Sequence, residues 1–277
     1  MIQKPMFSPQ VEWLPPTEFP NLSKYDEIAI DLETKDPDLK TMGSGSVTGR
    51  GQIVGIAVAV QDWSGYYPIA HEGGGNMDKS MVIKWFQDVL NTEATKIFHN
   101  AMYDVCFIQA AGLKISGMIV DTMIAGSLVD ENRFRYDLGS MGRDYIGRGK
   151  NEAVLAETAK EWGIDPKSEM YKLPAMYVGA YAEADAQLTL DLWQEMKKEI
   201  INQDIEDIFK LETELFPCLV DMRFLGVRVD TEAAYELKQK LLAEEKECLR
   251  IVQKETGVDT QIWAARSIAQ VFEKLHL

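Results

Sequence analysis

Residues 27–34 read EIAIDLET, and the fold class turns on that stretch. Its first six residues have alternating and then continuous apolar character, which reads as a strand with acids at its far end. Working outward, residues 53–60 (IVGIAVAV) are apolar and β-branched, a second and buried strand. Residues 66–70 make a third, and the turn Asp62-Trp63-Ser64-Gly65 before it implies an antiparallel hairpin. The period then changes: Met81, Val82, Trp85, Phe86, Val89 and Leu90 recur at helical spacing over residues 79–90. A short strand over 96–99, a helix over 101–111 stopped by Gly112, and a short strand over 118–120 follow; from Thr122 onward nearly everything reads as helix. A hairpin-rich start followed by β-α-β-α alternation predicts an α/β fold, a mixed sheet with helices on its faces.

Past Gln203 the texture shifts to long helical runs, 205–225 and 231–255, separated by Gly226-Val227-Arg228-Val229-Asp230, and a boundary is expected near residue 203. The stretch 42–51 (MGSGSVTGRG) invites a phosphate-loop reading. It lacks the closing Lys-Ser/Thr and opens no convincing helix, so it reads as a flexible loop between the first two strands.

At 277 residues the chain has room for one generous domain or one domain plus an appendage, and 46% hydrophobic with 26% charged residues is an ordinary soluble balance. The first twenty residues lack a basic start and apolar core, so no secretory signal is expected. The longest apolar stretch, residues 53–60, is too short to span a bilayer. Cys106, Cys218 and Cys248 give neither a disulfide framework nor a zinc pattern, which points to a reducing, cytoplasmic setting. A net charge of −15 argues against tight nucleic-acid binding by the surface as a whole, yet carboxylates that hold divalent cations enter the same sum.

Three segments carry candidate chemistry. Asp31 and Glu33 stand two apart at a strand end and project to one face, where both can converge on one cation; the alternative is a strand ending in solvated acids. Asn100 precedes a helix and suits an N-cap, which puts Asp104 in the first turn, where the helix dipole favours a carboxylate; that alone would account for both. Tyr181 and Asp185 lie four apart on a helix and share a face, about 6 Å apart along the axis, whereas Glu183 and Asp191 fall on other faces. Four carboxylates from distant elements can enclose two hard cations, which prefer oxygen ligands, and two cations about 4 Å apart suit phosphodiester cleavage. His71, His99 and His276 make no ligand set; His99 is expected packed or hydrogen-bonded beside the site.

In order and placement these segments resemble the three exonuclease motifs of the DEDD superfamily, in its tyrosine-containing branch. More closely, the chain resembles the proofreading 3′→5′ exonuclease domain of family A (DNA polymerase I-like) DNA polymerases, with phage-type members the best match. IAIDLET, IFHNAMYDVCFI and YAEADAQLTLDLW carry the resemblance, with Ile119-Val120-Asp121-Thr122-Met123 and Arg135-Tyr136-Asp137-Leu138 between the last two. It covers roughly residues 20–200 and implies a ribonuclease H-like domain over 1–203. Leu215-Phe216-Pro217, residues 225–230 and residues 267–277 resemble the start of the polymerase region, so 204–277 is expected to be its truncated helical beginning. No room remains for the palm acids or the fingers helix, and no polymerase activity is expected, whether the chain is a fragment or a shortened relative.

The resemblance implies roles. Asp31, Glu33 and Asp185 would hold the cation nearest the attacking water, and Asp31 and Asp104 would hold or support a second, Mg²⁺ or Mn²⁺ in both places. Tyr181, with Glu33, would position the water. Asn100 and Tyr103 would contact the 3′-terminal nucleotide, and Arg135 a backbone phosphate, a task suited to a planar guanidinium. The implied substrate is a single-stranded DNA 3′ end, released as monophosphates, and the implied partners are the remaining polymerase region or replication proteins, with no membrane. An exoribonuclease of the same superfamily and a non-catalytic polymerase-associated DNA-binding module are the alternatives. Where relatives often carry an apolar wedge after Asp-x-Glu, this chain has Lys35-Asp36-Pro37. Arg133, Arg135, Arg143, Arg148 and Lys150 form a local basic stretch, a candidate track for single-stranded DNA.

Overall fold

The computed structural model describes residues 11–277. The first ten residues, part of the N-terminal stretch and of the domain expected over 1–203, lie outside the described residues. The sheet has five strands in the order β3-β2-β1-β4-β5. β1 (Glu27–Lys35) lies at its centre. β2 (Gln52–Val60) pairs antiparallel with β1 and with β3 (Trp63–Pro68), as the predicted hairpin. β4 (Thr95–Phe98) and β5 (Ile119–Asp121) complete the sheet in parallel. The mixed sheet is therefore the α/β arrangement that the sequence predicts.

Between β1 and β2 lie two helical turns, α1 (Leu39–Met42) and α2 (Gly45–Thr48). The expected flexible loop is instead pinned. The Asp36 carboxylate accepts from the Gly45 N–H at 3.0–3.1 Å. A Cβ at Gly45 would lie 2.6 Å from that carboxylate, so the close approach requires glycine. Spacing could not show this, because the clamp depends on a residue nine positions upstream.

Side-chain alternation splits β1 between two packing environments. Ile28, Ile30 and Leu32 join Ile56, Val58, Phe86, Phe98 and Phe107 in one core. There lie α3 (Lys79–Leu90), capped by Asp78, and α4 (Ala101–Ala110). Each fully buried large apolar side chain there contributes about 1.5–3 kcal/mol. The opposite face is built from small residues, Ala29, Ala57 and Ala59. Over it runs α8 (Gly179–Asn202), which presents Ala182 and Ala186. Alanine against alanine contributes little area but lets the helix come close. Glu27 fixes the far half of α8, accepting from Trp193 Nε1 (2.9 Å), Gln194 Nε2 (2.8 Å) and Lys197 Nζ (2.7 Å).

Three further helices border that face: α5 (Thr122–Val129), α6 (Leu138–Ile146) and α7 (Ala153–Trp162). Two short 3₁₀ turns, Met170–Lys172 and Ala175–Tyr177, lead into α8.

The first compact unit runs to Phe224, not to the boundary expected near residue 203. The cause is α9 (Glu206–Leu225), whose Phe209, Phe216 and Val220 are buried in the two cores of that unit. The change of texture at Gln203 marks a turn, with Asp204 at positive φ, and not the end of a packing unit. The second unit, residues 225–277, holds α10 (Thr231–Thr256) and α11 (Ala265–Lys274). Asp230 caps α10 by accepting from Ala233 N at 2.9 Å, and Gly257 ends it in the left-handed conformation. Among the described residues no helix is long and apolar enough to cross a membrane.

Candidate active site

A cleft of about 900 Å³ opens where the end of β1 meets α4 and α8. Asp31, Glu33, Asn100, Tyr103, Asp104, Arg135, Tyr181 and Asp185 all line it. The structure thus brings every predicted site residue to one place.

The strand explains the first pair. Asp31 and Glu33 stand on the alanine face of β1, opposite Ala57 and Gly55 of β2, and the register slips immediately after Glu33. Such a bulge bends a strand and re-aims its last side chains. Gly55 is needed opposite Glu33 because the Tyr66 ring lies over it; a Cβ there would meet the phenol oxygen at 2.0 Å.

Asp104 arrives by a different route. β1 outruns β4, whose last pair is Ala29 with Ile97, and beyond it the Leu32 N–H donates to Asp104 Oδ1 at 3.1 Å. The amide between Asp31 and Glu33 therefore fixes the third acid beside them. α8 brings the fourth: its i and i+4 positions place Tyr181 and Asp185 toward the same cleft.

Electrostatics follow from crowding. Burial raises the Asp31 carboxyl to about 7; Asp185 adds to the rise and Lys150 opposes it. Glu33 is raised well above its ordinary value by burial, then by Asp31 and Asp185. Asp104 is raised by burial and by Asp31, against the Leu32 hydrogen bond. Burial also raises Asp185, against Lys150 and Tyr181. Burial and the adjoining acids push the Tyr181 hydroxyl far up, so it stays protonated. Among the described residues, no three His, Cys, Asp or Glu side chains are yet gathered as a metal cage. Two engagements bear on this: Asp104 is turned to an amide, and Asp185 Oδ2 is paired with Lys150. The other Asp185 oxygen, Oδ1, is buried without a partner.

Several neighbours differ from expectation. Asn100 does not cap α4 with its side chain. Its backbone is left-handed at φ 65°, a conformation asparagine tolerates, and the cap comes from Asp121 instead. Asp121 Oδ1 accepts from Asn100 N (2.9 Å) and Met123 N (2.8 Å), and Oδ2 from Ala101 N (2.8 Å), so one carboxylate serves two helix starts. The asparagine side chain is left exposed at the cleft. Tyr103 shares its hydroxyl with Thr34 at 2.7 Å and donates to Asp36 at 3.2 Å. His99 packs beside the site as expected, Nδ1 2.9 Å from Thr122 Oγ1, and burial holds it down at about 4.

The basic stretch divides. Arg135 and Lys150 line the cleft, whereas Arg133 pairs with Asp144 at 2.6 Å and Arg148 with Asp191. Glu183 turns from the cleft and accepts from Trp13 Nε1 and Tyr66 N, both at 3.0 Å. Lys150 is the site residue that sequence reasoning placed only in a general basic run. Its spacing to Tyr181 and Asp185 spans three elements, and no local pattern encodes it.

A family model described as 3′-5′ exonuclease matches residues 19–201. Among curated relatives, the DNA-directed DNA polymerase of Pseudomonas phage M6 is 34% identical over 99% of this chain and 43% of its own length. DNA polymerase I of Chloroflexus aurantiacus is 28% identical over 67% of this chain and 20% of its own length. The chain thus spans less than half the length of these relatives. Among solved structures, the POL domain of Pol1 from M. smegmatis in complex with DNA primer-template and dNTP aligns with TM-score 0.59 at 14% identity, over 91% of this chain and 38% of that one. Brucella melitensis NrnC with bound Mg²⁺ aligns with TM-score 0.52 at 16% identity, over 74% and 88%. At such identities the likeness is one of fold, the ribonuclease H-like sheet flanked by helices. With the motif residues gathered on one cleft and the family model covering most of the first unit, the chain belongs to the 3′-5′ exonuclease domain family of family A DNA polymerases.

Proposed function

We propose that the cleft hydrolyses the terminal phosphodiester of a single-stranded DNA 3′ end and releases nucleoside monophosphates, as the editing part of a DNA polymerase. The observation that carries this reading is the convergence of Asp31, Glu33, Asp104 and Asp185, with Tyr181, on one open cleft. The donor set fits Mg²⁺ or Mn²⁺: hard carboxylate oxygens, their acids raised by burial and then by mutual repulsion, and a buried Asp185 oxygen without a partner. Asp31, Glu33 and Asp185 would hold one cation, and Asp31 with Asp104 a second. The chemistry such cations supply when bound is neutralisation of the phosphate charge and activation of the attacking water.

The remaining work falls to the chain. The protonated Tyr181 hydroxyl, with Glu33, orients the water in line with the scissile bond. Water oxygen bonds to phosphorus as the bond to the 3′ oxygen breaks, and that oxygen takes up a proton. Asn100 and Tyr103 hold the terminal nucleotide, Tyr103 with its hydroxyl already fixed by Thr34 and Asp36. Arg135, at the cleft wall, takes a backbone phosphate in its fork.

In this reading residues 204–277 begin a polymerase-like region, as the match to the phage enzyme over 99% of the chain supports. The rest of such a polymerase and replication proteins are the partners, and the cytoplasm, a host's if the chain is phage-encoded, is the setting. The test is hydrolysis of matched 3′-ended DNA and RNA oligonucleotides with Mg²⁺ or Mn²⁺. Release of deoxynucleoside monophosphates, abolished by EDTA and in Asp31→Ala, is expected. Preference for RNA, or cleavage that survives EDTA, would overturn the proposal.

A further inference from the structure

Of the charged groups of the cleft that the proposed chemistry leaves unused, Lys150 is the one in contact with a proposed cation ligand. Lys150 follows α6, and its turn is held in place from both sides. Arg148 pairs with Asp191 on α8 and donates its N–H to Gly142 O at 3.3 Å. A Cβ at Gly142 would stand 2.6 Å from Arg148 O, and one at Gly139 would stand 3.5 Å from the Lys150 stem. Gly142 thus lets the turn lie against α6, and the lysine stem packs in ordinary contact beside Gly139. Its ammonium forms an ion pair with Asp185 Oδ2, donates to the Tyr181 hydroxyl at 2.9 Å and stands 5.1 Å from the centre of the Tyr181 ring. The side chain is 26% exposed, against 2% for Asp185, so the stem has an open side toward the cleft.

A cation on Asp185 Oδ1 and an ammonium on Oδ2 would stand within a few ångströms of each other, and the repulsion between the two positive charges opposes their sharing that carboxylate. Lysine suits a contact that must be released: it is a point charge on a flexible four-carbon stem, and here the turn that carries it is held while the stem has rotamers to move through. Released from Asp185, the ammonium remains tethered in the same cleft as Arg135, where an anionic phosphodiester would enter.

We propose that Lys150 is a tethered counter-ion that competes with the divalent cation for Asp185 and, once displaced, engages the substrate phosphate. The proposal rests on the cation-dependent reading of the cleft. It makes Lys150 a link between cation loading and substrate capture: cation binding frees the side chain that helps hold the phosphate.

The test uses the full chain without nucleic acid. Mn²⁺ is titrated into wild type, Lys150→Met and Lys150→Arg, with binding followed by calorimetry or by the paramagnetic resonance of free Mn²⁺. Lys150→Met should bind Mn²⁺ about tenfold more tightly, since a charge-assisted contact no longer opposes it, and Lys150→Arg should stay near wild type. With a single-stranded DNA substrate the same Lys150→Met protein should show KM raised several-fold, more than kcat is lowered. A lysine that merely braces the fold gives the opposite sign, weaker Mn²⁺ binding on its loss. Wild type that binds Mn²⁺ while Lys150→Met binds it equally or more weakly overturns the inference alone. Wild type that takes up no Mn²⁺ overturns the cation reading and the inference with it. Should Lys150→Met fail to fold, Lys150→Gln, neutral but still able to donate to Tyr181, carries the same expectation of tighter Mn²⁺ binding, and its failure to show it overturns the inference equally.

Discussion

Asp121 and Asp185 are almost equally buried, at 7% and 2% exposure, yet the two regions around them treat a carboxylate in opposite ways. At the junction of β4, β5 and two helices, Asp121 receives three backbone N–H groups and both its oxygens are used. In the cleft, Asp185 has one oxygen paired with the head of a lysine side chain and one with no partner at all. Backbone amides cannot leave, so an acid they saturate is committed to the fold. An acid whose partner can be displaced retains capacity for something from outside. Burial alone therefore does not mark function; the kind of partner does.

The comparison breaks first at the chemistry. Asp31→Ala and Asp185→Ala should each lower single-turnover hydrolysis of single-stranded DNA at least about a thousandfold, equivalent to roughly 4 kcal/mol of transition-state stabilisation. Neither should unfold the domain: Asp31→Ala relieves the crowding of acids, and the Lys150 ammonium that Asp185→Ala leaves still faces Asp31 and Glu33. Cleavage within tenfold of wild type in either variant would remove the distinction drawn between the two regions.

The pH dependence of stability separates them next. Asp31 titrates at about 7 in the fold against an ordinary value of 3.8, so the native state holds its proton more tightly than the unfolded chain does. Stability from this group is fully present below about pH 4 and is lost as pH rises through about 7, with a slope of up to about 1.4 kcal/mol per pH unit. Chemical denaturation across that window in EDTA should show the fall, Asp31→Asn should lessen its slope by up to about 1.4 kcal/mol per pH unit while the other raised acids keep the remainder, and Mg²⁺ should offset it. A cation-free protein whose stability rises steadily from pH 4 to 7 would contradict the crowded-acid account.

Asp121→Ala should act on the fold instead. Losing a carboxylate that serves two helix starts costs about 3 kcal/mol, read as a shift of the urea midpoint with unchanged slope. Activity per folded molecule should fall far less than in Asp185→Ala. A stability change under about 0.5 kcal/mol would mean that water replaces the cap.

The two regions were also unequally legible in the sequence. The cleft acids lie in short patterns, Asp-x-Glu on a strand end and Tyr-x-x-x-Asp on a helix, whose periods are local and whose direction follows from strand and helix geometry alone. The hairpin, the parallel strands and the helix over 79–90 were readable for the same reason. Asp121 and Lys150 were not, because their partners sit 20 and 35 residues away and depend on how elements dock. Asn100 has the side chain of an N-cap, but its left-handed backbone gives the cap to Asp121. The family match ends at residue 201, near the expected boundary, while the compact unit runs on to Phe224, because a turn can change the texture of a sequence without ending a core.

The smallest effect concerns the basic stretch, where both kinds of partner occur within fourteen positions. Arg148 is paired with Asp191 at the surface, its side chain 53% exposed, and a surface pair contributes about 0.2–1 kcal/mol at most. Arg135 lines the cleft, and its side chain forms no hydrogen bond or ion pair among the described residues. Arg135→Ala should therefore raise KM for single-stranded DNA about tenfold while thermal stability holds, with the loss shrinking as salt screens the phosphate in wild type. Arg148→Ala should change KM less than twofold, apart from what the shifted Lys150 turn transmits. Equal effects from the two arginines would mean that the whole stretch acts as a diffuse basic track, and that pairing to an acid leaves a surface arginine as available to DNA as one in the cleft wall.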